Sequence, residues 1–120
     1  MSSVIVPQDM LEQEWEADDE VLENLANNGD RPSAIRWVDV IFRGDPAALD
    51  ALAETLLDDG WQVAETEEDT DGEWTMEARR RQSAERAAIH DLTRTCLGFA
   101  IAHGVEYDGW GTVATDEDDA

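Results

Sequence analysis

The segment 35–43, Ile-Arg-Trp-Val-Asp-Val-Ile-Phe-Arg, restricts the possible folds more than any other part of the chain. Its many β-branched and aromatic residues predict a strand. Side chains alternate along a strand, so this one has two apolar faces, formed by Val38, Val40 and Phe42 and by Ile35, Trp37 and Ile41. Both faces therefore need cover from other parts of the chain.

Three amphipathic segments predict helices. Residues 8–28 form a leading helix, residues 46–59 follow Asp45 as a favourable N-cap, and residues 84–103 follow Ser83 as a candidate cap. The inward stripe of the leading helix consists of Leu11, Trp15, Asp18, Leu22 and Leu25. The glycines that follow the three segments, and so predict their ends, are Gly29, Gly60 and Gly104.

Strands are predicted at 61–66, 73–80 and 105–113, the first two joined as a hairpin across the acidic turn 67–72. After the leading helix, the order is strand, helix, strand, strand, helix, strand. This order is typical of the ferredoxin-like βαββαβ sandwich. We therefore expect an α+β domain with a four-stranded antiparallel sheet, two helices on one sheet face and an extra N-terminal helix.

The second sheet face would be left open by this arrangement, although it carries Trp37. We expect the leading helix to cover it, with a dimer through that face as the alternative. One domain spans 1–115, and a short acidic tail, 116–120, is expected to be disordered.

The charge of the chain limits its partners. There are 30 Asp and Glu against eight Arg and no Lys, for a net charge of −22, although a hydrophobic fraction of 42% suffices for a core. Nucleic acid and anionic membranes would be repelled, whereas an arginine- or lysine-rich protein segment would be attracted. The acids are spread evenly along the chain, which predicts an acidic surface all round. A salt-adapted or high-GC host composition is the competing explanation.

No group of residues predicts catalysis. Cys96 lies on an apolar helix stripe as a small hydrophobe, and His90 and His103 are too far apart on one helix to share a metal. Runs of acids such as 18–20 and 67–69 are expected to be solvated. We predict a non-enzyme without a metal or a cofactor.

The basic cluster of the chain is 79–81, with Arg86 further on. We expect it to neutralise acidic neighbours. The N-terminus resembles no signal peptide, and no stretch approaches the ~18 apolar residues of a membrane span. A single cysteine fits a reducing compartment, so the prediction is a soluble cytoplasmic protein.

The segment 105–112, Val-Glu-Tyr-Asp-Gly-Trp-Gly-Thr, stands out in a predicted strand because it contains two glycines. Aromatic residues flanked by acids suit an arginine-rich peptide, through cation–π contacts and ion pairs. The alternative is a bulged strand whose Trp110 packs in the core.

Glu106-Tyr-Asp-Gly-Trp-Gly-Thr112 followed by an acidic tail resembles the regulator of ribonuclease E activity B family (RraB-like proteins). The resemblance implies a small cytoplasmic inhibitor with a ferredoxin-like fold and no catalytic residues. It implies binding to the non-catalytic half of ribonuclease E or to a related RNA-decay component, and the charge of the chain predicts that the bound region is basic. We expect a monomer or weak homodimer. The candidate partner-binding residues are Glu106, Tyr107, Asp108, Trp110, Asp116, Glu117, Asp118 and Asp119.

Two other functions stay open. The first is a nucleic-acid mimic that occupies a basic groove of another protein. The second is a small-ligand-binding domain of unknown role, with an enclosed pocket lined by some of Arg79, His90, His103 and Asp108.

Overall fold

An antiparallel sheet with helices on one face forms the centre of the computed structural model, which describes residues 5–117. The helices are α1 (Gln8–Asn27), α2 (Pro46–Asp58) and α3 (Arg86–His103). The strands are β1 (Arg36–Arg43), β2 (Gln62–Val63), β3 (Glu67–Glu68), β4 (Trp74–Gln82) and β5 (Glu106–Gly111). The predicted α+β class is confirmed.

The sheet order is β2-β4-β1-β5, with β3 also paired to β4. Gln62 and Val63 pair with Arg79 and Ala78, and β3 pairs further along β4, so β2 and β3 together form one interrupted edge. The predicted strand 61–66 is therefore shorter than expected. Counting that edge once gives the predicted ferredoxin-like βαββαβ order, with β1 and β4 as the central strands.

The core lies between the sheet and the two helices α2 and α3. The inward apolar side chains in the middle of the central strands are fully buried, as the alternation of apolar residues predicts. They pack against the leucine stripe of α2 and the inner stripe of α3. The main buried members are Val38, Val40, Phe42, Leu49, Leu52, Leu56, Met76, Ile89, Leu92 and Cys96. Each large apolar side chain buried here stabilises the fold by about 1.5–3 kcal/mol.

Helix ends follow four of the five sequence signals, since Gly29 and Gly60 have positive φ directly after the caps of α1 and α2. The Asp45 carboxylate accepts hydrogen bonds from the N–H groups of Ala47 and Ala48, at 3.1 and 3.3 Å. Gly104 ends α3 in the left-handed conformation, with φ of 69°. The predicted Ser83 cap is wrong, because α3 begins at Arg86 after Glu85, and Glu85 makes no side-chain cap.

The leading helix does not cover the open sheet face, so that prediction is wrong. It packs against α3 on the opposite side of the sheet. The Trp15 ring stacks on His90 at 5.0 Å between centroids, and its indole N–H donates to the His90 carbonyl at 2.9 Å. The other face of the sheet is therefore free of any helix of residues 5–117.

Within the same described range, no helix combines the length and apolar character that a membrane crossing requires. Asp118 and Asp119, both in the predicted tail, lie outside the described residues.

Candidate functional site

The uncovered side of the sheet is an organised surface that the helices leave accessible, and we call it the open face. It is formed by outward side chains of β1, β4 and β5. Its main members are Trp37, Asp39, Ile41, Arg43, Glu77, Arg79, Arg81 and Asp108.

One end of the open face is basic and aromatic. The guanidinium of Arg79 lies 4.3 Å from the centre of the Trp37 ring, and that of Arg81 lies 6.0 Å away. Arg79 also donates to the Gln62 side chain at 3.0 Å. These contacts explain how Trp37 can lie half-buried without a covering helix, since cation–π contacts of this kind are worth about 0.5–1 kcal/mol at exposed sites.

Two members of the basic cluster make aromatic contacts in place of direct ion pairs, whereas Arg86 does pair with Asp19. Arg79 covers Trp37, and Arg80 lies 4.6 Å from the Trp61 ring and donates to Gln82. Neither forms a salt bridge with a described residue. Both arginines instead shield aromatic rings.

The middle of the open face is acidic. Asp39 is paired in register with Arg79, and Glu77 with Ile41, which places the two carboxylates diagonally across neighbouring strands. Among the described residues, neither carboxylate forms a salt bridge, because Arg79 is turned towards Trp37. Asp39 and Glu77 thus line a common groove with Arg79 but form no ion pair with it.

A groove of about 350 Å³ runs between this acidic centre and β5. Asp39, Glu77 and Asp108 line it, and Ile41, 38% exposed, provides an apolar surface within it. The wall on the β5 side includes Gly109, Gly111, Thr112 and Val113.

A β-bulge in β5 explains the Gly-Trp-Gly sequence. The register shifts between Val40 and Phe42, so that Asp108 and Gly109 together oppose Ile41. Gly109 has φ of 108°, a conformation that strongly favours glycine. The bulge directs Asp108 outwards and Trp110 inwards against the core.

The candidate partner-binding residues are thereby divided between two sides of the sheet. Tyr107 and Trp110 are partly buried and pack against the core, so the bulged-strand alternative describes the geometry. Glu106 and Asp108 are exposed. Asp108 accepts a hydrogen bond from Arg43 at 3.0 Å, and Arg43 also bonds Glu73 at 2.7 Å.

The start of the acidic tail is tethered near β1. The Asp116 carbonyl accepts a hydrogen bond from Arg31 Nε at 2.9 Å, and the Arg31 N–H donates to the Thr115 carbonyl. Asp116 and Glu117 are both exposed.

A buried carboxylate, which is not among the predicted site residues, joins α1 to the rest of the fold. Asp18 is 3% exposed and accepts hydrogen bonds from Thr93 Oγ1 at 2.6 Å and Trp110 Nε1 at 2.8 Å. Burial raises the pKa of Asp18, and the two hydrogen bonds oppose that rise. The prediction that this acidic run is solvated is wrong for Asp18. Its position in the apolar stripe between Trp15 and Leu22 was the available signal.

A second polar cluster lies beside it. Arg86 donates two hydrogen bonds to the Asp19 carboxylate, at 2.9 and 3.0 Å, and His90 Nε2 lies 2.9 Å from the same group. Hydrogen bonding to Arg86 is the main reason that the pKa of Asp19 falls to about 2. These contacts fasten α1 to the start of α3.

Two further titratable side chains have raised pKa values because they are wholly or partly buried at the core. Burial raises the pKa of the Cys96 thiol to about 12, and it also raises the pKa of the Tyr107 phenol. In the part of the chain that the structure describes, no cluster of histidine, cysteine and carboxylate groups could hold a metal ion.

The residues proposed for a small-ligand pocket are dispersed. Arg79 and Asp108 line two different open grooves on the sheet. Both histidines lie on α3, where His90 contacts Asp19 and His103 lies 3.4 Å from the Thr55 hydroxyl. The described residues therefore do not bring all four groups into one enclosed site.

Comparison with known proteins gives two matches. A family model described as "Regulator of ribonuclease activity B" matches residues 15–112, which include most of α1 and the whole sheet. A protein of Photobacterium profundum, described by the same words, is 30% identical over 120 residues. That alignment covers 92% of this chain and 89% of the relative.

Proposed function

Because the chain belongs to the regulator of ribonuclease activity B family, we propose that it inhibits ribonuclease E or a related RNA-decay nuclease by binding it. The site bound on the nuclease is a basic, non-catalytic segment. Membership of the family supports the regulatory role towards a ribonuclease, and the negative charge of the chain supports a basic segment as the region that it binds.

The observation that carries this proposal is the net charge of −22, distributed over every part of a folded domain. Each helix contributes exposed carboxylates, for example Glu16 on α1, Asp50 on α2 and Asp91 on α3. A surface of one sign steers oppositely charged segments towards it and raises their association rate. An arginine-rich segment of a nuclease is such a partner.

The same segment of a nuclease would bind RNA through its phosphates, since arginine-rich segments hold RNA by displacing counterions. The protein and the RNA would therefore compete for one set of cations. Occupation by the protein removes a tethering site for RNA and slows cleavage, while the catalytic centre of the nuclease remains free.

This mechanism requires no catalytic group on the regulator. The groups with the largest pKa shifts are either buried, as with Cys96 and Tyr107, or fixed by an ion pair, as with Asp19. These positions are structural, which agrees with a regulator that acts by binding.

Binding of the purified chain to full-length ribonuclease E from the same organism tests the proposal. We expect binding at about 50 mM salt that weakens by more than tenfold at about 300 mM salt, because exposed charges are screened over a Debye length of about 6–14 Å in this range. Absence of binding at low salt would refute the proposal. Binding that is insensitive to salt would refute only the electrostatic mechanism.

A further inference from the structure

We propose that the groove on the open face is the docking site for the basic segment, and that one arginine or lysine side chain of the segment enters it between Asp39, Glu77 and Asp108. This inference rests on the proposed function and deepens it, because it assigns the contact to one surface of a molecule that is acidic on all sides.

The two central carboxylates provide the first argument. Asp39 and Glu77 are diagonal neighbours on adjacent central strands, and neither has a salt-bridge partner among the described residues. Like charges at this spacing repel, and Arg79, which lies opposite Asp39 and lines a neighbouring groove with both carboxylates, offsets this repulsion in part without an ion pair to either. A cation from a partner would relieve the repulsion and form charge-assisted hydrogen bonds.

The shape of the groove provides the second argument. Ile41 offers apolar surface for the methylene groups of an arginine or lysine side chain, while the carboxylates around it match the charged end. Gly111 pairs with Asp39, so it faces the same side, and a Cβ added there would meet no atom within 4 Å. The glycine thus leaves room beside β1 for an inserted side chain.

The charges disfavour the other occupants of an uncovered sheet. A second copy of the chain also carries a charge of −22, and an RNA strand would bring phosphates against the carboxylates. Arg43 already bonds Asp108 at 3.0 Å and partly neutralises that end. The acidic centre, at Asp39 and Glu77, is therefore where the electrostatic attraction for an incoming cation is greatest.

The test uses the full-length chain and a fluorescently labelled peptide of alternating arginine and glycine, with binding followed by anisotropy at low salt. The double variant Asp39→Asn/Glu77→Gln removes two charges from the groove. Glu16→Gln/Glu20→Gln removes the same charge from exposed positions of α1 and serves as the matched control. Gly111→Leu fills the groove without changing the charge.

We expect the groove double variant to weaken peptide binding by about fivefold to thirtyfold and the α1 control by less than about twofold. Gly111→Leu should weaken binding comparably to the groove double variant. Circular dichroism and thermal unfolding check that each variant folds. Equal weakening by both double variants would overturn the docking site, as would wild-type binding by the groove double variant or by Gly111→Leu.

The same variants with the ribonuclease separate the two proposals. If the wild-type chain binds the nuclease and the groove double variant binds it equally well, the docking site is wrong and the proposed function stands. If the chain binds the peptide through the groove but does not bind the nuclease, the proposed function is wrong, whereas the groove remains a site for a basic segment of another protein.

Discussion

Replacement of Asp18 by alanine should destabilise the fold by about 2–4 kcal/mol. The substitution removes the acceptor that the structure gives to the Thr93 hydroxyl and the Trp110 indole N–H, at 2.6 and 2.8 Å. A buried donor left without an acceptor costs about 1–3 kcal/mol. Thr93 is fully buried and should approach the upper value, whereas Trp110 is half-buried and can partly recover through water.

The charge of Asp18 reduces this loss. Burial raises its pKa, so the ionised carboxylate is less favourable in the fold than in the unfolded chain, and its removal returns part of that cost. Asp18→Asn keeps one oxygen for the Trp110 indole N–H, and its amide N–H can donate to the Thr93 hydroxyl, so this variant should lose only about 1 kcal/mol. The comparison separates the hydrogen bonds from the charge.

Urea unfolding at neutral pH, followed by tryptophan fluorescence, measures these differences as shifts of the midpoint at constant slope. Glu20→Ala, exposed on the same helix, should stay within about 0.5 kcal/mol of the wild type. If Asp18→Ala were as stable as Glu20→Ala, the attachment of α1 through this carboxylate would be refuted.

Three further results are expected. The pKa of Asp19 is about 2 in the fold against 3.8 for the free group, so the stabilisation by its carboxylate is complete above about pH 4 and is lost as the pH falls towards about 2. The stability difference between the wild type and Asp19→Asn, measured by urea unfolding, should therefore vanish at the acidic end of this range. A constant difference would contradict the ion pair with Arg86. The pKa of Cys96 is about 12, so its thiol should resist a thiol-reactive dye at pH 8 in the folded protein and react once the chain is unfolded in urea. Rapid labelling of the folded protein would contradict the burial of this thiol. Asp45→Ala removes the N-cap of α2 and should cost about 1 kcal/mol in the same unfolding assay, whereas no loss would contradict the cap.

Local sequence signals predicted the order of elements well, because each depends on neighbouring residues. The alternation in 35–43 identified the inner face of β1, and Asp45 and Gly104 identified helix ends. The resemblance of the 106–112 segment identified the family, which the comparisons confirm.

The position of α1 could not be obtained in this way, since it depends on contacts between distant segments. Trp37 suggested that the second sheet face needs a covering helix, but Arg79 and Arg81 shield it instead. Asp18 was predicted to be solvated although it lies in the apolar stripe of α1, and no local pattern identifies its partner Thr93, 75 residues away.

The groove on the open face likewise could not be predicted from the sequence. It arises because the β5 bulge turns Trp110 inwards and Asp108 outwards, next to carboxylates from two other strands. The two glycines suggested a bulge as one of two alternatives, but the convergence of Asp39 and Glu77 on the same groove depends on strand register.

The rate of RNA cleavage by full-length ribonuclease E, measured against increasing concentrations of the chain, tests the central claim most directly. The account predicts that the wild-type chain slows cleavage at low salt and that Asp39→Asn/Glu77→Gln requires about fivefold to thirtyfold higher concentration for the same effect. An unchanged cleavage rate at concentrations that saturate binding would contradict it.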